Sequence, residues 1–96
     1  MLDKVKQMME MKKQADALKK ELDATTVESS ETRGIKIVMT GSQTVQSVQI
    51  EENILKVENK SRLERDLTRT INTAVKKSQA LAAEKMKEVM PGFPGL

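Results

Sequence analysis

Leu63, Leu67, Ile71, Ala74, Val75, Ala82, Met86 and Val89 follow one another at steps of three, four or seven, with Ser78 filling the single gap. That spacing predicts one unbroken helix from about Ser61 to Val89 with an apolar stripe along its whole length. At ~1.5 Å per residue such a helix is about 40 Å long, farther than a small sheet can cover. Its far end must therefore pack on another helix or another subunit. Ser61, followed three residues later by Glu64, has the spacing of a capping box and sets the expected start.

A second helical pattern opens the chain. Met1, Met8, Ala15 and Leu22 recur every seven residues, Met11 and Leu18 interleave, and Leu2, Val5 and Met9 widen the stripe. This is a coiled-coil-like seam, rich in a pliable thioether side chain suited to packing surfaces. Met8, Met11, Leu18 and Leu22 are accordingly candidate interface residues. The β-branched run Thr25, Thr26, Val27 should end this helix near Ala24 and lead into an edge strand or an extended link.

From Gly34 the period changes to two. Ile35, Ile37 and Met39 point one way, and Lys36, Val38 and Thr40 the other. Gly41 and Ser42 mark a turn, after which Val45, Val48 and Ile50 continue the pattern; the three-residue step from 45 to 48 signals a bulge or register change. A hairpin over 35–50 is the expected sheet, and Ile35, Ile37, Met39, Val48 and Ile50 join the candidate dimer-interface set. The chain is thus an α+β fold, with a long N-terminal helix, a small antiparallel sheet and a long C-terminal helix in one domain over 1–90. Pro91, Gly92, Phe93, Pro94, Gly95 and Leu96 cannot continue a helix and read as a flexible Pro/Gly tail over 91–96.

With 96 residues, 38% of them hydrophobic and one aromatic, the chain buries only a small core, so oligomerisation is expected. The absence of Cys fits a reducing cytoplasm. No apolar run approaches the ~20 residues that span a bilayer, and the Lys-interrupted N-terminus lacks the apolar stretch of a secretory signal, so Met1 onward reads as mature protein with no membrane partner.

The net charge of +3 is modest, but it is unevenly spread. Residues 1–24 carry +1, residues 25–55 carry −2 and residues 56–96 carry +4, a polarity that steers a polyanion toward the helices. Phosphate binding needs long cationic arms in water. Arg62, Arg65, Arg69, Lys76, Lys77, Lys85 and Lys87 on the second helix qualify, as do Lys12, Lys13, Lys19 and Lys20 on the first. Arg62, Arg65 and Arg69 stand three and four apart, on one helical face, and form the leading cluster. Pairing of these arginines with Glu58, Glu64 and Asp66 on their own helix is the competing expectation.

Enzymatic chemistry is poorly served. There is no His, Cys or Tyr, and no clustered set of the remaining groups suggests a general base or nucleophile. Glu51 and Glu52 read as a solvated turn edge. Gly34 and Gly41 are too isolated to cradle phosphate. No catalytic residue, metal ligand, cofactor or small-molecule substrate is expected. With one aromatic there is no stacking platform for single strands, and nothing resembles a helix-turn-helix or zinc finger. Duplex DNA with weak base specificity is the target this composition favours.

The Gly-led strand from Gly34 to Thr40, the turn at Gly41, VQSVQIEENIL from Val45 to Leu55 and LERDLTRTINTAVKKSQ from Leu63 to Gln79 resemble the YbaB/EbfC family of bacterial nucleoid-associated proteins. The likeness also takes in the Met- and Lys-rich first helix and the Pro-Gly tail. It departs in having Glu51 where Asp is common, and Ile71 and Thr73 around Asn72 where small residues are usual. The resemblance implies an intertwined, tweezer-like homodimer that binds DNA in the cytoplasmic nucleoid. The alternative is a protein-interaction module whose Met-rich seam grips a replication or recombination protein, with DNA contact incidental.

Overall fold

The computed structural model describes Leu2–Val89; the expected Pro/Gly tail lies outside the described residues. Helix α1 spans Leu2–Ala24, strands β1, β2 and β3 span Thr26–Ser29, Ile35–Thr40 and Val45–Ile50, and helix α2 spans Lys60–Val89. Two single 3₁₀ turns, Glu52–Ile54 and Val57–Asn59, lead from β3 into α2. The strands form an antiparallel meander in the order β1-β2-β3. α1 ends where the β-branched run begins, and Thr26–Ser29 is an edge strand.

The period-two pattern of β2 decides which face is buried. Ile35, Ile37 and Met39 are at most 2% exposed and form the core with Ala74 of α2. α2 lies across β1 and β2, and its line of small residues, Thr70, Ala74 and Ser78, is fully buried. Small side chains at i, i+4 and i+8 let the helix backbone approach the sheet closely, while Leu63, Leu67, Ile71 and Val75 pack around the core from the flanks. Thr40 does not follow the expected outward alternation; it is buried, and its carbonyl accepts a hydrogen bond from the Ser78 hydroxyl at 2.8 Å. The end of β2 is thus pinned by α2.

The β2–β3 ladder pairs Val38 with Ser47 and Met39 with Val45. Gln46 is therefore the extra residue of a bulge, and this returns Val45 to the same face as Val48 and Ile50. Directly opposed residues share a face, and Ile50 and Val48 oppose Ile35 and Ile37. All three β3 side chains thus stand on the α2 side of the sheet. Because α2 sits over β1 and β2, Val45 and Val48 remain 45% and 47% exposed.

Ser61 is not the N-cap of α2. The chain is already winding through Val57–Asn59, the Asn59 side-chain amide donates to the Ile54 carbonyl at 3.1 Å, and the Glu64 carboxylate is taken by Lys60, one turn back, at 2.6 Å. The helix therefore starts one residue early and the capping-box geometry is lost.

The α1 seam divides in two. Leu18 is buried and Leu22 half-buried where α1 meets α2 and the end of β2, and Lys85 of α2 pairs with Glu21 at 3.0 Å. Toward the N-terminus, Leu2, Val5, Met8, Met9 and Met11 stay 43–78% exposed. α1 is an arm anchored at its C-terminal end, and the molecule measures 66 × 20 × 17 Å.

Candidate nucleic-acid interface

Successive residues of an α-helix turn by about 100°, so the burial of Ala74 fixes which side of α2 faces water. Opposite Ala74, an arc of roughly 120° carries Arg62, Arg65, Arg69, Lys76 and Lys87 together with Thr68, Asn72, Gln79, Ala80 and Ala83, all exposed. The four acidic residues of α2, Glu64, Asp66, Glu84 and Glu88, fall outside this arc. This arc is therefore cationic and has no acidic position of its own, with the exposed Glu64, Glu84 and Glu88 outside it. Arg62 and Lys87 lie 25 residues apart, a span of about 37 Å.

The same geometry separates the seven cations proposed on α2. Arg62 reaches the half-buried Asp66 carboxylate at 3.5 Å, a long contact made from an exposed arginine. Arg65, Arg69, Lys76 and Lys87 make no ion pair among the described residues, so pairing within the helix accounts for one arginine of three. Lys77 points to the sheet edge, where its Nζ donates to the Glu28 carbonyl at 2.9 Å. Lys85 lies on the packing side between Glu21 and Glu88, at 3.0 and 3.7 Å. The Glu21 hydrogen bond and charge, then the Glu88 charge, raise its pKa above the ordinary lysine value. Lys77 and Lys85 thus serve the fold.

Arg65, Thr68, Arg69, Asn72 and Lys76 line an open trough on the outer side of α2, together with two carboxylates, Glu64 of the helix itself and Glu31 of the β1–β2 turn. Thr73 at its edge donates to the Glu31 carboxylate, which ties that turn to the helix. On α1, Lys12, Lys13, Lys19 and Lys20 are all exposed, but Asp16 stands among them. The basic character there is diluted.

Of the candidate dimer-interface residues, Ile35, Ile37 and Met39 are enclosed by the chain's own α2 and Leu18 by the packing of α1. Val48, Met8 and Met11 remain exposed and Ile50 and Leu22 half-buried. Among the described residues no group of three or more Asp, Glu, His or Cys is placed to hold a metal ion, and no described helix is long and apolar enough to cross a membrane.

Comparison with known proteins gives the family. The model of the YbaB/EbfC DNA-binding family matches residues 1–93. The chain belongs to the YbaB/EbfC family. It is 34% identical over 88 residues to a nucleoid-associated protein of Chloroflexus aurantiacus, an alignment covering 91% of this chain and 88% of the relative. A nucleoid-associated protein of Dictyoglomus turgidum is 29% identical over 91 residues, covering 94% and 88%, and one of Syntrophobacter fumaroxidans is 32% identical over 82 residues, covering 82% and 74%. For a YbaB/EbfC chain, the cationic arc of α2 was only partly legible beforehand. The Arg62, Arg65, Arg69 spacing pointed to it, whereas the exclusion of the acids becomes visible only once Ala74 fixes the helix orientation.

Proposed function

We propose that this YbaB/EbfC protein is a nucleoid-associated protein of the bacterial cytoplasm that binds duplex DNA as a homodimer, mainly through phosphates and with little sequence specificity, and so affects nucleoid organisation or gene expression. It acts by binding and carries out no catalysis. The observation that carries this reading is the outer arc of α2, where Arg65, Arg69 and Lys76 present cations outside any ion pair among the described residues within about 16 Å of helix and outnumber the two carboxylates, Glu31 and Glu64, that share their trough. Long cationic arms in water can replace the counterions condensed on the DNA backbone, and the released ions drive association.

Dimerisation is supported by the uncovered apolar strip of β3. Val45, Val48 and Ile50 continue the core face of β2, against which Ile71 and Val75 pack half-buried, beyond the edge of α2. A second copy covering this strip continues the core across the interface. The Met-rich arm of α1, with Met8 and Met11 exposed, supports a second reading in which the protein acts as an adaptor for a replication or recombination protein.

The test is fluorescence anisotropy of a labelled random-sequence duplex at low salt. The wild type is expected to bind, and Arg65→Ala/Arg69→Ala/Lys76→Ala to lose most of that affinity while keeping its fold by circular dichroism. A wild type that leaves the duplex free would favour the adaptor reading instead.

A further inference from the structure

We propose that the outer face of α2 also reads base edges, with Asn72 and Gln79 each recognising an adenine in the major groove at positions about three base pairs apart. This rests on the duplex-DNA reading above and adds a short preference to it.

The short polar side chains beside Asn72 are tied into the fold. The hydroxyls of Thr68 and Thr73 donate to the Glu64 carbonyl and the Glu31 carboxylate, while Arg65, Arg69 and Lys76 make no ion pair among the described residues. The carboxamides of Asn72 and Gln79 have no partner among the described residues, and both are exposed. Asn is a poor helix former because its side chain competes for backbone hydrogen bonds. Asn72 nevertheless occupies the middle of a 30-residue helix, at a position where the fold asks nothing of it.

What surrounds Asn72 suits a base reader. It lies in the trough with Arg65, Arg69 and Lys76, which outnumber the carboxylates of Glu31 and Glu64 there and whose cationic heads can hold backbone phosphates while the shorter amide reaches inward; phosphate contacts fix register and base-edge contacts specify. Ala80 and Ala83 beside Gln79 keep the face low where close approach is needed. A carboxamide offers one donor and one acceptor in a plane, the complement of the N6 donor and N7 acceptor that adenine shows in the major groove. An α-helix is 10–12 Å across, and the groove about 12 Å wide. Seven residues separate Asn72 from Gln79 along one line of the helix, a rise of about 10.5 Å, which matches about three base-pair steps of ~3.4 Å.

Selection from a duplex pool with a randomised centre, at a salt concentration where the wild type binds, tests this directly. The wild type is expected to enrich adenine at two positions about three base pairs apart, with roughly tenfold discrimination at each. Asn72→Ala should erase one preference and Gln79→Ala the other, with affinity for random duplex kept within about twofold. Both changes favour the helix, so folding is not at risk. A pool that is bound without enrichment, or the same enrichment in both variants, overturns the base-reading proposal while leaving phosphate binding intact. Failure to bind the pool at any salt overturns both.

Discussion

The backbone N–H of Gly41 donates to the carbonyl of Leu22 at 3.0 Å, and also to that of Thr25 at 2.9 Å, so the turn after β2 caps the end of α1. A Cβ at position 41 would lie 2.9 Å from Leu22 Cδ2 and 3.1 Å from the Leu22 oxygen, so the Leu22 side chain would have to turn aside and the backbone contact open by a few tenths of an ångström. The anchoring of the α1 arm therefore depends on a residue with no side chain. Gly41→Ala should destabilise the fold by about 1–3 kcal/mol, as measured by urea unfolding, and should raise amide exchange over Leu18–Ala24 more than in α2.

The close approach of α2 to the sheet rests on Thr70, Ala74 and Ser78, all fully buried. Ala74→Leu adds three carbons at the tightest point and should cost about 1–3 kcal/mol or more. Ser78→Ala, which removes the hydroxyl donor to the Thr40 carbonyl but leaves that carbonyl its bond from the Gln43 N–H, should cost about 0.5–1.5 kcal/mol, the net worth of one hydrogen bond. Thermal unfolding of the two variants should rank them in that order.

Lys85 bridges the two helices through Glu21, and its pKa is raised in the folded protein, first by that hydrogen bond and then by the neighbouring carboxylate charges. A raised folded pKa stabilises the protein fully at pH values below the ordinary lysine range, and the contribution fades as the pH climbs through the raised value. The contribution of this pair should accordingly be fully present and independent of pH around neutrality, and decline on the alkaline side. Lys85→Met should lower stability near pH 7 and flatten the alkaline decline; an unchanged alkaline decline would exclude Lys85 as its source.

Much of this architecture is legible in the residues themselves. The change from a seven-residue seam to the β-branched Thr25, Thr26, Val27 places the end of α1 at Ala24, and the three-residue step from Val45 to Val48 announces the bulge that the ladder shows at Gln46. Local signals fix these features. What pairwise patterning misses is tertiary. Thr40 alternates outward by period, yet α2 turns its carbonyl into a buried acceptor. Ser61 and Glu64 have capping-box spacing, yet the 3₁₀ turn at Val57–Asn59 starts the helix first. Ile35, Ile37 and Met39 look like a free sheet face until α2 of the same chain covers them, leaving the strip on β3. For the candidate DNA site, the Arg62, Arg65, Arg69 register is readable in advance, but the removal of Lys77 and Lys85 from it follows from Glu28 and Glu21, which are distant in sequence.

The exposed strip on β3 bears on assembly. If a second copy covers Val45 and Val48, a carboxylate there is buried without a partner and should be strongly unfavourable. Val48→Asp is expected to halve the mass seen by light scattering after gel filtration and, because two phosphate-binding faces are no longer linked, to weaken duplex binding as well. A dimer that survives Val48→Asp would place the interface elsewhere.

The central claim is that α2 binds the DNA backbone through the cations opposite Ala74. The most direct measurement is the slope of log binding constant against log salt for a random-sequence duplex, compared between wild type and Arg65→Ala/Arg69→Ala/Lys76→Ala. Each phosphate contact contributes about −0.9 to that slope. The account predicts a steep, linear loss of affinity for the wild type and a slope shallower by about 2–3 per bound subunit in the variant. Equal slopes in the two proteins would contradict it.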